Sequence, residues 1–344
     1  DCSAAGVGDP VPGRGDEGVM TTINLARSTR LFRSMGTEIQ VVVDQEPAPS
    51  GEANGRLDEV ACLFRAAEQR FSRFAADSEL SELNRMGFLD RPSRDLLDVA
   101  ARSIKWFEIT GGAFNPSILS ALESAGYDVD FDSMTGCIRA GLPRPVAGAT
   151  CGLKIHERDT GHPQIELAEG VRIDSGGIVK GWTADRACDL SSDGTGMFVD
   201  AGGDIAIRGG KRDGGPWMVG VAHPDRTYEL IDVIAVKSGG VSTSSVRARS
   251  WASGDGRAHH IIDPTTGIPT NSGVIQATVV GRSAESAEVL AKSVVVLGAE
   301  EGLTLLDSFR DTEGILVLSD GDILESSGWS NLRLEEPRAM AWSG

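Results

Sequence analysis

The spacing of apolar positions predicts several helices. Between residues 57 and 71, and again between residues 94 and 109, apolar side chains recur every three or four positions, as on a helix with one buried face. Ser78, placed just before Glu79, is typical of the cap that begins another helix. Further helices are predicted over residues 178–190, 286–296 and 300–309.

Short apolar runs bounded by glycine, proline or acidic residues predict strands. A closing hairpin is predicted around Asp320 and Gly321. Because hairpin-like strands are mixed with helices, the pattern favours an α+β fold, with mixed and largely antiparallel sheets, over a purely parallel sheet. The predicted strands cover residues 38–44, 170–174, 197–200, 217–222, 229–236, 260–262 and 274–280.

The two ends of the chain lack this periodicity. Residues 1–19 are small, polar and rich in glycine and proline, and Met20 is typical of an internal start. We predict a flexible tail over residues 1–30, one domain over residues 31–335 and a C-terminal tail over residues 336–344. No repeat or long low-complexity linker interrupts the middle part, so any subdomains should share one fold.

Charge and composition exclude several classes of function. Lys and Arg number 33 against 50 Asp and Glu, a net charge of −17, which opposes binding to nucleic acid or an anionic membrane. The five cysteines form no CxxC pair, so neither structural zinc nor a disulfide scaffold is predicted. No apolar run of about 18 residues predicts a membrane span. We expect a cytoplasmic protein, or an exported or lipid-anchored one if an upstream signal has been removed.

The segment IDSGGIVKG at residues 173–181 is the strongest local signal for chemistry. It predicts a strand, a pair of glycines and the start of a helix, whose unpaired amides attract anions. A phosphate cradle and a plain strand-to-helix turn are both compatible with it. Lys180, one turn inside the helix, could add a cation to the same anion or could simply be solvated.

Three further segments leave a functional and a structural interpretation open. His260, in AHHIIDPTTGIPT, could act as a base near neutral pH or could be tied to a backbone carbonyl. The run GVSTSS at residues 240–245 could hold phosphate or could be a polar loop. Glu288 and Lys292 lie four positions apart, in the order that favours an ion pair on a helix surface.

Seven segments lie along the chain in a fixed order: MGTEIQVVV, RFSRFAADSELSELNR, TGGAFNPSI, DSGGIVKGWTADRA, DAGGDI, HIIDPTTG and AEVLAKSVVVLG. Taken in this order, they resemble the FAD:protein FMN transferase (ApbE) family. The resemblance implies an α+β fold of two intertwined halves that flank an FAD groove. It also implies cleavage of the FAD pyrophosphate, transfer of FMN to a Ser or Thr hydroxyl of an acceptor protein, and release of AMP.

The same resemblance implies roles for individual residues. His260 matches the candidate general base for the incoming hydroxyl, and Asp263 is expected to shape its loop. Phe74 stands where Tyr is common in the family, and Asn115 stands where Asp is usual. The residues that match cofactor-contacting positions are Met35, Phe74, Ala113, Phe114, Asn115, Asp174, Lys180 and Ile262.

The metal site is where this chain departs from the family. The resemblance implies magnesium held by the carbonyl of Gly177 and by an Asp and a Thr on a late helix, but here those two positions are Glu288 and Lys292. Lys292 could supply part of the metal's charge, or the chain could have lost the chemistry and kept the flavin. The alternatives to transfer are therefore hydrolysis of FAD to FMN and AMP, and FAD binding without cleavage.

Overall fold

The computed structural model describes residues 20–24, 27–44, 50–134, 151–157, 161–191, 194–226, 228–253 and 256–333. Its helices are α1 Ser50–Phe71, α2 Glu79–Met86, α3 Arg94–Ile109, α4 Leu119–Ser124, α5 Val179–Cys188, α6 Ala284–Leu297 and α7 Ala299–Asp307. The first nine strands are β1 Met20–Asn24, β2 Arg27–Ser34, β3 Thr37–Asp44, β4 Phe88–Asp90, β5 Leu153–Glu157, β6 Pro163–Leu167, β7 Gly196–Ala201, β8 Asp204–Arg208 and β9 Trp217–Ala222. The others are β10 Leu230–Val236, β11 Gly239–Ser245, β12 Ser250–Ser253, β13 Gly256–His259, β14 Ile262–Asp263, β15 Ile268–Pro269, β16 Val274–Gly281, β17 Glu313–Leu318 and β18 Ile323–Glu325.

A nine-stranded sheet forms the centre of the described chain. Its order is β1-β2-β3-β7-β8-β11-β16-β17-β18, and each neighbouring pair is antiparallel. Smaller sheets join β4, β6 and β5, β9 with β10, β12 with β13, and β14 with β15. The predicted α+β fold with largely antiparallel sheets is confirmed.

Both faces of the large sheet are covered, so the fold has layers. On one face, Val41 of β3 packs with Phe64 of α1 and Ala184 of α5, while Val279 of β16 packs with Leu290 of α6. On the other face, side chains of β8, β11, β16 and β17 pack with the β9–β10 hairpin and with Trp329. Alternation along the strands produces this two-sided burial.

Several predicted elements are confirmed. Helix α3 has the predicted bounds, and Ser78 caps α2 by accepting a hydrogen bond from the amide of Ser81. The closing hairpin is the pair β17 and β18. Residues 1–19 and 336–344 of the predicted tails lie outside the described residues. Residues 20–24 and 27–30 form β1 and the start of β2 at one end of the large sheet, and the division of the chain into one domain and two tails stays a prediction.

The predicted strand over residues 170–174 is also wrong. Its amides find partners outside any strand, because Ile173 donates to the side chain of Asn84 and Asp174 donates to the carbonyl of Pro116. The predicted strand at residues 260–262 is interrupted, since β13 ends at His259 and β14 begins at Ile262. Conversely, GVSTSS lies in the buried central strand β11 and is not a polar loop.

Helices α5 and α6 meet at Gly181, which predicts a marked effect of a single methyl group. A β-carbon there would lie 2.5 Å from the carbonyl oxygen of Ala284 and 2.7 Å from the amide of Glu285, both backbone atoms. We expect Gly181→Ala to lower the free energy of unfolding, measured in urea, by about 1–3 kcal/mol. Gly55→Ala is the matched control, because no atom lies within 4 Å on exposed α1. The control should raise stability by about 0.5–1 kcal/mol, and equal effects would contradict the packing argument.

Candidate active site

One pocket gathers side chains from segments that lie far apart in the sequence. Loops after β2, α1 and α3 contribute to it, together with the start of α5, the bend before β14 and one face of α6. Glu288 is fully buried behind the pocket wall. The predicted residues that line the pocket are Met35, Phe74, Ala113, Phe114, Asn115, Asp174, Gly177, Lys180, His260, Ile262 and Lys292.

The turn between β2 and β3 brings Met35 to the pocket. Met35 and Gly36 both have positive φ values, 54° and 68°, as in the two-residue turns that suit antiparallel strands. Glu68 of α1 holds the turn, because its carboxylate accepts hydrogen bonds from the Met35 amide at 2.9 Å and from the Ser34 hydroxyl at 3.0 Å. Hydrogen bonds to Glu68 of α1 therefore stabilise Met35, a non-glycine residue with positive φ.

One wall of the pocket combines two arginines, Arg73 and Arg249, with the rings of Phe74 and Tyr127. The guanidinium of Arg73 lies 4.2 Å from the ring centre of Phe74 and 4.6 Å from that of Tyr127, and its Nε pairs with Asp174 at 3.1 Å. Arg249 lies 3.4 Å from the Tyr127 hydroxyl. Burial raises the pKa of Tyr127, so its phenol stays neutral. The wall thus offers flat apolar surface beside two positive charges.

The loop that carries Phe114 and Asn115 is held by its own hydrogen bonds. The Phe114 amide donates to the hydroxyl of Thr110 at 3.0 Å, and the Asn115 side chain accepts from the amide of Ser117 at 2.9 Å. Both Phe114 and Asn115 are buried. The side-chain oxygen of Asn115 therefore fixes the loop, and the loop in turn fixes the Phe114 ring beside Gly177, where a β-carbon would lie 3.1 Å from it.

Most amides at the start of α5 already donate to acceptors within the protein, so the helix end is only partly open to an anion. These amides belong to Gly176, Ile178, Val179 and Gly181. The ammonium of Lys180 is engaged too, because it forms ion pairs with Asp204 and Glu288. Arg73 is paired with Asp174, so the attraction of this pocket for an anion depends mainly on Arg249 and Lys292.

His260 is held as a neutral imidazole with one nitrogen available. Its Nδ1 lies 3.3 Å from the carbonyl oxygen of Arg249, and because a carbonyl only accepts, Nδ1 carries the hydrogen and Nε2 carries the lone pair. Burial lowers the pKa of His260 well below the usual 6.5, and the positive charges of Arg249 and Lys292 lower it further. The ring is therefore tied to a backbone carbonyl, as one sequence interpretation predicted, and its role as a base stays a prediction.

Glu288 joins two lysines behind the pocket wall. Its Oε1 accepts from Lys180 at 3.1 Å and from Lys292 at 2.9 Å, and its Oε2 accepts from the Gly181 amide at 2.8 Å. The predicted ion pair of Glu288 and Lys292 is confirmed, but Glu288 is fully buried, so the pair is not the surface pair that the spacing favoured. Burial lowers the pKa of Lys180 to about 8 against the attraction of Glu288. Burial alone would raise the pKa of Glu288, but the two lysines outweigh it and lower that pKa.

These residues do not fit the magnesium ion that the resemblance implies. Magnesium takes oxygen ligands, whereas a charged lysine offers no lone pair and repels a cation. The oxygens of Glu288 already accept three hydrogen bonds, and Asp204 accepts from Lys180 and from the hydroxyl of Ser242. Within the described ranges, no three His, Cys, Asp or Glu side chains cluster closely enough to share a metal ion.

Several residues that line the pocket were not predicted from the sequence. Arg73 directly precedes Phe74 in RFSRF, so its neighbour carried a signal for it. Tyr127 is one of only two tyrosines, but no periodic pattern places it near a site. The unpredicted lining residues include Glu68, Ser72, Arg73, Tyr127, Asp130 and Phe131.

The sequence is similar to known proteins along most of its length. The model of the ApbE family matches residues 35–316. The chain is 29% identical to the FAD:protein FMN transferase of Treponema pallidum, over 81% of this chain and 82% of that protein. It is 27% identical to the FAD:protein FMN transferase of Vibrio cholerae, over 85% of this chain and 88% of that protein.

Solved structures show the same fold. The ApbE protein of Thermotoga maritima superposes with a TM-score of 0.79 at 25% identity, over 90% of this chain and all of that one. The flavin transferase ApbE of Vibrio cholerae superposes with a TM-score of 0.72 at 24% identity, over 89% of this chain and 99% of that one. Since the family model covers well over half of the sequence, the chain belongs to the ApbE family.

Proposed function

We propose that this chain is an FAD:protein FMN transferase, which cleaves the pyrophosphate of FAD, passes FMN to a Ser or Thr hydroxyl of an acceptor protein and releases AMP. The observation that carries the proposal is a neutral His260, with Nε2 available, in a pocket lined by aromatic rings and arginines. The names of the relatives, FAD:protein FMN transferase, support it.

The pocket suits a ligand that combines flat rings with phosphates. Phe74, which is 41% exposed, offers a ring against which a heterocycle can stack, and Tyr127 packs behind it with 6.0 Å between the ring centres. Arg249 presents a guanidinium group, whose planar donors match phosphate oxygens, whereas the guanidinium of Arg73 is paired with Asp174. A chain with a net charge of −17 needs such local positive charge to hold a pyrophosphate.

In the transfer step we assign His260 as the base, and each bond that forms is matched by one that breaks. The acceptor hydroxyl oxygen forms a bond to the phosphorus of the FMN half, while the bond from that phosphorus to the bridging oxygen breaks. AMP leaves with the bridging oxygen, and the hydroxyl proton passes to Nε2 of His260 and then to solvent. We assign no step to magnesium, because Glu288 and Lys292 do not fit its site.

Incubation of the purified chain with FAD and a candidate acceptor domain tests the proposal. Covalent flavin on the acceptor, together with AMP in equal amount, supports transfer. Free FMN and AMP would mean hydrolysis, and intact FAD would mean binding alone; either outcome overturns the proposal. An acceptor whose Ser or Thr hydroxyl has been removed by substitution is the matched control and should stay unlabelled.

The environment of His260 predicts the pH dependence of transfer. A base works only when unprotonated, so activity falls as the pH drops through the pKa of the folded protein. Because burial and the positive charges of Arg249, Lys292 and His259 hold the pKa of His260 well below 6.5, we expect the acidic limb of kcat/KM to lie below pH 6.5. Rates measured between about pH 5 and pH 8 check this. A limb centred at or above 6.5 would contradict it.

Among the residues that the structure describes, no helix combines the length and the apolar character that a membrane crossing requires. The cytoplasmic location stays a prediction, as does the Ser or Thr acceptor motif.

A further inference from the structure

The side chain of Lys292 passes close to Gly177, which has no side chain, and reaches the pocket wall. Its Cδ would lie 3.5 Å from a β-carbon at Gly177, so the lysine stem crosses close to that glycine. The ammonium ends 2.9 Å from the buried carboxylate of Glu288, one turn earlier on α6. Its side chain remains 20% exposed, which leaves the charged end accessible from the pocket that His260 also lines.

The charges around Lys292 leave little need for a metal ion. Two carboxylates, Asp204 and Glu288, face two ammonium groups, Lys180 and Lys292, so the cluster is balanced as it stands. A divalent cation placed there would add two positive charges beside Lys292 and would compete with donors that already fill the carboxylate oxygens. The approach of an anionic pyrophosphate, by contrast, adds the negative charge that an ammonium attracts.

We propose that the ammonium of Lys292 takes the place of a divalent cation in this pocket, so that the chain cleaves the pyrophosphate without bound metal. This rests on the proposed function. Lys292 neutralises charge on the bridging oxygen as AMP leaves, Glu288 orients the ammonium, and Lys180, tied to Asp204, completes the balanced cluster. An ammonium group stabilises the negative charge that develops on an oxygen. Unlike a metal ion, it does not orient several oxygen ligands.

The central experiment uses the whole chain, freed of metal with EDTA, and FAD freed of metal on a chelating resin. We expect the same rate of AMP release and FMN transfer in EDTA as in magnesium. Titration with Mn²⁺ without FAD, followed by electron paramagnetic resonance, should show no bound ion. A rate that appears only with magnesium, or one Mn²⁺ bound per chain, would overturn the inference.

Variants at position 292 separate charge from packing. Lys292→Met keeps the length but removes the charge, and we expect it to lose about 100-fold in rate in EDTA. Lys292→Arg keeps the charge and should lose less of the rate in EDTA than Lys292→Met does. Lys105→Met, an exposed position on α3 away from the pocket, is the matched control and should behave like the unchanged protein. Thermal melting and FAD titration of each variant exclude a folding defect as the cause.

The outcomes also distinguish this inference from the proposed function. If neither AMP nor labelled acceptor forms under any condition, the proposed function fails, and the Mn²⁺ titration still decides whether the cluster binds a metal. If transfer occurs but requires magnesium, the proposed function stands and the role of Lys292 fails. Unchanged transfer by Lys292→Met in EDTA would also overturn that role.

Discussion

Replacing His260 by alanine is expected to lower FMN transfer 100-fold or more while FAD still binds, in line with the ~10²–10⁴-fold that a positioned base contributes. The hydroxyl of the acceptor is a poor nucleophile at its free pKa, and in the proposed mechanism Nε2 of His260 accepts its proton. The rate of covalent labelling of the acceptor measures FMN transfer. Titration of flavin fluorescence measures FAD binding.

The matched control for this variant is His156→Ala. His156 lies on β5, away from the pocket, and pairs with Glu166 at 2.8 Å on the protein surface. Its removal should leave transfer unchanged. An unchanged rate in His260→Ala would contradict the base assignment, whereas a parallel loss of FAD binding would mean that the ring mainly shapes the pocket.

The second large effect is expected on stability, from Glu288→Gln. Glu288 is fully buried and accepts from Lys180, Lys292 and the Gly181 amide. Removing its charge leaves Lys292 without its carboxylate and Lys180 with Asp204 alone. Breaking a buried ion pair from one side costs about 3–5 kcal/mol. Because both lysines border the pocket and are partly screened by water, we expect the lower end, about 3 kcal/mol, in urea unfolding at neutral pH.

Exposed Glu59 on α1 offers the matched control, and Glu59→Gln should change stability by less than about 0.5 kcal/mol. The pH dependence adds a second check. Since the pKa of Glu288 is lowered from 4.5 in the folded protein, its contribution is present above 4.5 and is lost as the pH falls through the lowered value. The difference between the two proteins should therefore shrink in acid. A difference that is constant with pH would mean that the loss reflects packing.

Helices were the most predictable part of this fold. Helix α3 has its predicted bounds because its amphipathic face and the glycines that follow it, Gly111 and Gly112, are local signals. Strands were less predictable, since a strand needs a partner that the local pattern does not name. Residues 170–174 have a strand-like pattern, but the amides of Ile173 and Asp174 pair with Asn84 and Pro116. Residues 20–24 and 27–30 have no strand-like pattern, but they form strands at one end of the large sheet.

The residues of the candidate site were likewise predictable only in part. Motif resemblance pointed to residues on six separate segments, and the fold brings them around one pocket. It pointed less well to residues whose role depends on a distant neighbour. Arg249 matters because its carbonyl fixes the tautomer of His260 and its side chain reaches Tyr127, and neither contact has a sequence signature.

By itself, then, the sequence determined the class of fold, the helices, the family and the residue types available to the pocket. Only the tertiary structure decided their states: that Lys180 is paired, that Glu288 is buried between two lysines, and that His260 is neutral. The physical reason is that charge, protonation and access depend on burial and on partners many residues away. Composition showed a net charge of −17, but only packing shows where positive charge gathers within it.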